Sequence, residues 1–194
     1  MLKTGITGGI GSGKSLICKF FETLGIPVFY ADREARRVAE TVARPRLIAL
    51  FGNEAFLPDR RLNSRKIADA VFQAPELLAM LNKILHPEVK RQFLQWADEQ
   101  EAPYVLHEAA ILFESGFNEV MDCNILVTAP EELRISRVMQ RDGISREEVL
   151  RRIENQWPDE QKSELADFVI RNDERHLLIP ELLELHNTLT TWKN

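Results

Sequence analysis

The chain has 194 residues, 44% of them hydrophobic, which is enough to bury one substantial core and too apolar for a disordered chain. A formal charge of −5 disfavours a general nucleic-acid binder, which presents a basic surface, and points instead to a small partner held by a local basic patch. Only Cys18 and Cys123 occur, with no CxxC and no His/Cys cluster, so neither a disulfide framework nor a zinc site is indicated; a reducing cytoplasm fits best. The N-terminus has no signal pattern and no run reaches the roughly 18 apolar residues of a membrane helix, so a soluble protein is expected.

The predicted elements alternate. "LKTGIT" (2–7) reads as a short strand, and "SLICKFFETLG" (15–25) as a helix with Leu16, Ile17, Phe20 and Leu24 at helical spacing before Gly25 stops it. "IPVFYAD" (26–32) is a second strand and "REARRVAE" (33–40) the start of a helix. Residues 44–101 hold apolar stripes of helical period and no convincing strand, which suggests a helical insert; within it Pro87 suits the first turn of a new helix and His86 the break before it. "YVLHEAAIL" (104–112), "CNILVTA" (123–129) and the shorter "DFVIRN" (167–172) suit buried parallel strands. The last segment, "IPELLELHNTLTTW", is an amphipathic helix with Leu182, Leu185 and Leu189 on the stripe that covers the sheet. This order predicts an α/β domain over 1–194, a mainly parallel sheet between helical layers, with ligands at the carboxyl ends of its strands.

"TGGIGSGKS" (7–15) carries the chemistry. Gly8, Gly13, Lys14 and Ser15 satisfy G-x-x-x-x-G-K-[ST] between a strand and a helix, the context the mechanism requires. Gly8, Gly9, Gly11, Ser12 and Gly13 let successive amides face one concavity, which the N-terminus of the following helix, from Lys14 through Leu16, completes as an anion site. Lys14 would bridge the outer phosphates of ATP and Ser15 would offer its hydroxyl to Mg²⁺. The motif alone does not choose among GTPases, motor ATPases and kinases. The chain has no N-K-x-D motif and no apolar strand ending in D-x-x-G, which leaves a guanine-nucleotide switch poorly supported.

Two further stretches favour a kinase. Asp32 closes the second predicted strand, at the sheet edge where phosphates bind, and can serve as general base or as the N-cap of the next helix, or both; Arg36 follows one turn later, placed to meet an acceptor's phosphate. In "PEELRISRVMQRDGISREEVLRRIENQ" (130–156), Arg134, Arg137 and Arg141 recur at i, i+3 and i+7. Asp142-Gly143 turns the chain and Ser145 with Glu148 forms a capping box, giving a helical hairpin over 130–157 with guanidiniums on one face. Such a face is either a solvated charged surface or an arginine-bearing lid that closes over phosphates. His107, His176 and His186 take no functional reading.

These stretches resemble the dephospho-coenzyme A kinases. "GITGGIGSGKS" is similar to that family's opening strand and loop, and "YADREAR" to its D-A-D-x-x-A-R, with Tyr30 in place of the first Asp. "LNKILHPEV" is similar to L-N-x-I-x-H-P-x-V. "HEAAILFESG" resembles D-x-P-L-L-F-E with Glu108 for Asp and Ala110 for Pro, while Glu114 matches. R-x-x-x-R-D-G-x-S, a later Arg152 and Gln156, and "ADFVIRN" complete a likeness that runs to about residue 172. The resemblance implies a P-loop fold with an acceptor-binding helical region (44–101) and a lid (130–157), and transfer of phosphate from ATP, with Mg²⁺, to the 3′-hydroxyl of dephospho-coenzyme A. It makes Asp32 the general base, places Arg36 and His86 with the acceptor, Arg141 and Arg137 on the lid, and Asn172 in the region that meets adenine. No nucleic acid, membrane or obligate protein partner is expected. Another nucleotide kinase of this fold, or an ATP-binding regulator without turnover, are the alternatives.

Overall fold

The computed structural model describes residues 1–192. Five parallel strands form one sheet in the order β2-β3-β1-β4-β5: β1 (Leu2–Thr7), β2 (Val28–Tyr30), β3 (Tyr104–Glu108), β4 (Cys123–Thr128) and β5 (Phe168–Arg171). Strand β1 is central, with Ile6 in register with Glu108 on one side and Ile125 on the other. The chain passes from β1 to one half of the sheet and later returns to build the other, so the carboxyl end of β1 is a topological switch point, where ligands of such sheets bind. The predicted strand "YVLHEAAIL" stops at Glu108, because the residues after it turn away into Ala109–Gly116.

The chain divides into two compact units, 1–30 with 97–194, and 31–96. In the first, α1 (Lys14–Thr23) and α9 (Leu178–Thr190) carry Ile17, Phe21, Leu182, Leu185 and Leu189 into the core formed by Ile6, Leu106, Ile125, Val127 and Ile170, as the leucine stripe predicted. The hairpin of α6 (Glu131–Asp142) and α7 (Arg146–Glu154) has a small core of its own, Ile135, Val138 and Val149, on which Ile10 of the glycine loop packs. Gly143, at φ 66°, ends α6, and Ser145 and Glu148 make the reciprocal bonds of the capping box. A short α8 (Asp159–Ser163) follows.

The second unit holds α2 (Ala31–Glu40), α3 (Arg44–Phe51), α4 (Ser64–Gln73) and all but the last two residues of α5 (Pro75–Asp98). Asn63 caps α4, accepting from the Lys66 amide at 3.2 Å, and the Arg44 guanidinium lies 4.6 Å over the Phe56 ring. Two local expectations do not hold. β2 ends at Tyr30, so Asp32 sits inside the first turn of α2, where a carboxylate suits the helix dipole, and is not the strand's last residue or the cap before the helix. Pro87 does not open a new helix after a break at His86: α5 runs unbroken through both. A proline removes one amide donor and crowds the carbonyl one turn earlier, and the long apolar and helix-forming stretch on each side outweighs that local cost.

His107 lies fully buried on β3, stacked between Phe29 (centroids 5.4 Å apart) and Phe117 (4.7 Å). Burial pushes its pKa down to about 3, so the folded protein holds it neutral. An unfolded chain takes up this proton near pH 6.5. The stabilisation is therefore complete above about pH 6.5 and is lost as pH falls toward 3, by up to ~1.4 kcal/mol per pH unit. By pH 5 the loss reaches about 2 kcal/mol, or about 4–8 °C in Tm. Melting curves from pH 7.5 to 5 should show this slope in the wild type and a shallower one in His107→Phe; parallel slopes would reject the assignment.

Candidate phosphate-binding site

The glycine loop leaves β1 at Thr7 and enters α1 at Lys14. Gly8, Gly11 and Gly13 all have positive φ, and a Cβ at Gly8 or Gly11 would strike the backbone of Val127 or Arg134. Gly13 is left-handed, φ 99°, and a Cβ there would also strike the Asn172 carboxamide; a Cβ at Gly9 would meet the Arg134 guanidinium and force it to shift. Both residues let the backbone approach side chains from distant parts of the chain.

Side chains, the loop's own Lys14 and three from distant parts of the chain, take every carbonyl from Gly8 to Ser12. Lys14 Nζ donates to Gly8 O at 2.6 Å and Gly9 O at 3.3 Å. Arg134 Nε donates to Ile10 O (3.0 Å), Arg137 Nη1 to Gly11 O (3.3 Å) and Asn172 Nδ2 to Ser12 O (2.8 Å). The loop's negative dipole ends are thus compensated by four side chains, three of them cationic. At the far end of the loop, the amides of Gly13, Lys14 and Ser15 stand at the opening of α1, the amide-rich end of a helix. This polarity, carbonyls taken by side-chain donors and amides gathered at a helix N-terminus, is that of a receptor for phosphate oxygens.

Each staple is itself held. Asn172, immediately after β5, donates its backbone amide to Thr128 O (2.8 Å), and its carbonyl accepts from Arg137 Nη2 (3.2 Å). Arg137 also pairs with Glu174 at 2.8 Å. Arg134 is buried and pairs with Asp159 Oδ2 at 3.3 Å. Burial, the larger influence, raises the Asp159 pKa despite the neighbouring Arg134 and Lys162 charges. The three arginines of α6 therefore do not form one exposed stripe. Arg134 lies under the loop, Arg137 is half-buried along it, and Arg141 is exposed, gripping Asp142 (2.6 Å), a carboxylate it shares with Arg152 of α7 at 3.2 Å.

Comparison with known proteins bears on what such a receptor serves. Residues 2–177 match the family model described as dephospho-CoA kinase. The chain belongs to the dephospho-CoA kinase family. It is 43% identical to a dephospho-CoA kinase of Bacteroides fragilis, over 95% of this chain and 91% of that one, and 40% identical to that of Porphyromonas gingivalis, over 98% and 96%. A crystal structure from Thermus thermophilus aligns at TM-score 0.86 with 38% identity, covering 100% of this chain and 98% of that one. At 15% identity and TM-score 0.55, over 97% of this chain and 92% of that one, the shikimate kinase of Acinetobacter baumannii shares the fold. The sheet order and loop described above are thus those of an α/β P-loop kinase.

For a dephospho-CoA kinase the remaining candidates fall in two places. Ser15 and Leu16 are exposed on the first turn of α1, and Glu108, at the end of β3, is nearly buried. A serine hydroxyl and a carboxylate are hard oxygen donors of the kind Mg²⁺ accepts beside phosphates and water, and that ion needs no three-carboxylate cage; among the described residues no such cage exists. In the second unit, Asp32 and Arg36 are exposed on α2, and His86 is half-buried in α5, its pKa lowered by desolvation.

Several residues of the site give no signal in composition or spacing. Lys162 is fully buried, 2.9 Å from Glu114 Oε1, the same oxygen that accepts the Trp157 amide at 3.1 Å. Gln156 bonds the Ile10 amide across 146 positions of sequence. A cavity of about 610 Å³ opens beside these groups, lined by Pro130, Arg134, Ile153, Gln156, Trp157 and Asp159 among others. Glu114 and Gln156 stand out only as matched letters of the family pattern, and nothing in the sequence assigns them a partner.

Proposed function

We propose that this chain transfers the γ-phosphoryl group of ATP to the 3′-hydroxyl of dephospho-coenzyme A, producing coenzyme A and ADP, the last step of coenzyme A synthesis. The observation that carries the reading is the loop whose five carbonyls are all taken by side chains, two by its own Lys14 and three by Arg134, Arg137 and Asn172, opening into α1, in a chain of this family.

Lys14 lies at the loop and on engagement with the outer phosphates exchanges the Gly8 and Gly9 carbonyls for phosphoryl oxygens. Ser15 supplies a hydroxyl for Mg²⁺, which would neutralise charge between the β- and γ-phosphoryl groups. Arg137 and Asn172 border the nucleotide on the side of the residue 172–174 turn, and Arg141, poised on Asp142, reaches the transferring group when the hairpin closes. Asp32 takes the proton of the attacking hydroxyl, with Arg36 and His86 binding the acceptor. No helix among the described residues is long and apolar enough to cross a membrane, which accords with work on soluble metabolites in the cytoplasm.

The test is direct. Purified protein with ATP, Mg²⁺ and dephospho-coenzyme A should release ADP and coenzyme A in equal amounts, with little ADP when the acceptor is omitted. Turnover with a different nucleoside or nucleotide acceptor alone would replace the substrate, and tight ATP binding without acceptor-dependent ADP would replace the enzyme with a regulator.

A further inference from the structure

Gln156 lies two residues beyond α7 and uses both ends of its carboxamide. Oε1 accepts the Ile10 amide at 2.8 Å, and Nε2 donates to Ala110 O at 3.1 Å. Its partners fix which end is which, because an amide requires an acceptor and a carbonyl a donor. Its own backbone is anchored, donating to Ile153 O at 2.9 Å. One side chain thereby spans the tip of the glycine loop and the turn that follows Glu108 on β3, from a base at the foot of the α6–α7 hairpin.

Ile10 is held to that hairpin in two further ways. Its carbonyl accepts from Arg134 of α6, and its side chain packs on Ile135, Val138 and Val149. The loop tip is therefore tied to the hairpin by backbone amide, backbone carbonyl and side chain together, and only the Gln156 tie also reaches the β3 end.

We propose that Gln156 is a positioning residue for phosphoryl transfer: it sets the tip of the glycine loop against the end of β3 and links both to the lid hairpin. This rests on the phosphotransfer reading. Loop amides accelerate transfer only when held in place before the reaction, because reordering them would consume binding free energy. A residue in this place must present one acceptor and one donor at the span of a glutamine, a requirement that a glutamic acid meets only when protonated.

That requirement gives the experiment. In Gln156→Glu at pH 8 the carboxylate still accepts from Ile10, but its second oxygen opposes Ala110 O and adds negative charge beside the nucleotide. kcat/KM for ATP should fall at least about tenfold, the scale of a lost hydrogen bond with an unmatched acceptor. Facing a carbonyl oxygen raises the pKa of this carboxyl, so the ratio of variant to wild type should recover by about threefold or more between pH 8 and pH 6. Gln156→Met, which fills the space and bonds neither partner, should show a deficit of about tenfold that does not change with pH, with Tm within about 4 °C of wild type and KM for dephospho-coenzyme A within about twofold.

A variant-to-wild-type ratio for Gln156→Glu that is flat with pH, or a Gln156→Met protein with wild-type kcat/KM for ATP, would overturn the proposal. Calorimetric affinity for ATP separates this from the functional reading. Weakened ATP binding in Gln156→Met would uphold the positioning of the loop even if dephospho-coenzyme A proved not to be the acceptor, and unchanged binding with unchanged turnover would remove it.

Discussion

Replacing Asp32 with asparagine should lower kcat for dephospho-coenzyme A phosphorylation by about 10²–10⁴-fold, the usual contribution of a positioned general base. Affinity for ATP should stay within about twofold, because the triphosphate receptor is built from residues 8–15 and their staples. The substitution keeps size and shape and removes only the capacity to take a proton. Its structural cost is small: Asp32 is exposed in the first turn of α2, where a carboxylate contributes about 0.3–1 kcal/mol through the helix dipole. Steady-state kinetics with a parallel melting curve reads both effects. An unchanged kcat with a Tm lowered by a few degrees would leave Asp32 as a helix-start residue and require another base.

The sheet, the glycine loop and the outer helices were legible because each rests on local pattern. A buried parallel strand is a short apolar run, so 2–7 and 123–129 are legible; 167–172 is also a strand, but at the sheet edge, with Ile170 buried and Val169 exposed; the leucines of α9 repeat at helical spacing; and G-x-x-x-x-G-K-S encodes its own turn. Failures arose where a local rule met a longer context. Pro87 reads as a helix start by its ring chemistry, yet 24 residues of helix run across it. Arg134, Arg137 and Arg141 share one stripe by spacing, but the loop packs on one end of it, so one guanidinium is buried, one is half-buried and one exposed. Spacing along α6 reports which residues are neighbours and carries no information on what lies opposite.

The same limit hid the supports of the loop. Ser12 and Asn172 are 160 positions apart and Ile10 and Gln156 are 146 apart, and no periodicity reaches so far. A glutamine or asparagine with one strong long-range partner looks in sequence like any polar surface residue. Arg134 is visible as a cation, but its task, capping the Ile10 carbonyl while its guanidinium lies against Gly9, appears only in the fold.

The largest stability effect should come from the pair of Lys162 and Glu114. Lys162 is fully buried on α8, and the only charge an ion pair brings to it among the described residues is that of Glu114, whose Oε1 lies 2.9 Å away. Removing one member of a buried pair costs about 3–5 kcal/mol when the remaining charge is uncompensated; Asp159 also neighbours Lys162, so Glu114→Gln should lower Tm by up to about 6–20 °C. The substituted amide can still accept the Trp157 N–H through its oxygen, so the loss reports charge and not that hydrogen bond. Adding Lys162→Met to Glu114→Gln should restore a large part of the loss, since removing both charges also removes the cost of burying them. Equal stability of Glu114→Gln and wild type would show the pair to be dispensable, and a double variant no better than Glu114→Gln alone would place the stabilisation in the Lys162 stem instead. Because Trp157 and Asp159 follow directly on Gln156, loosening this anchor should also weaken ATP binding. In the double variant, that affinity should recover together with Tm.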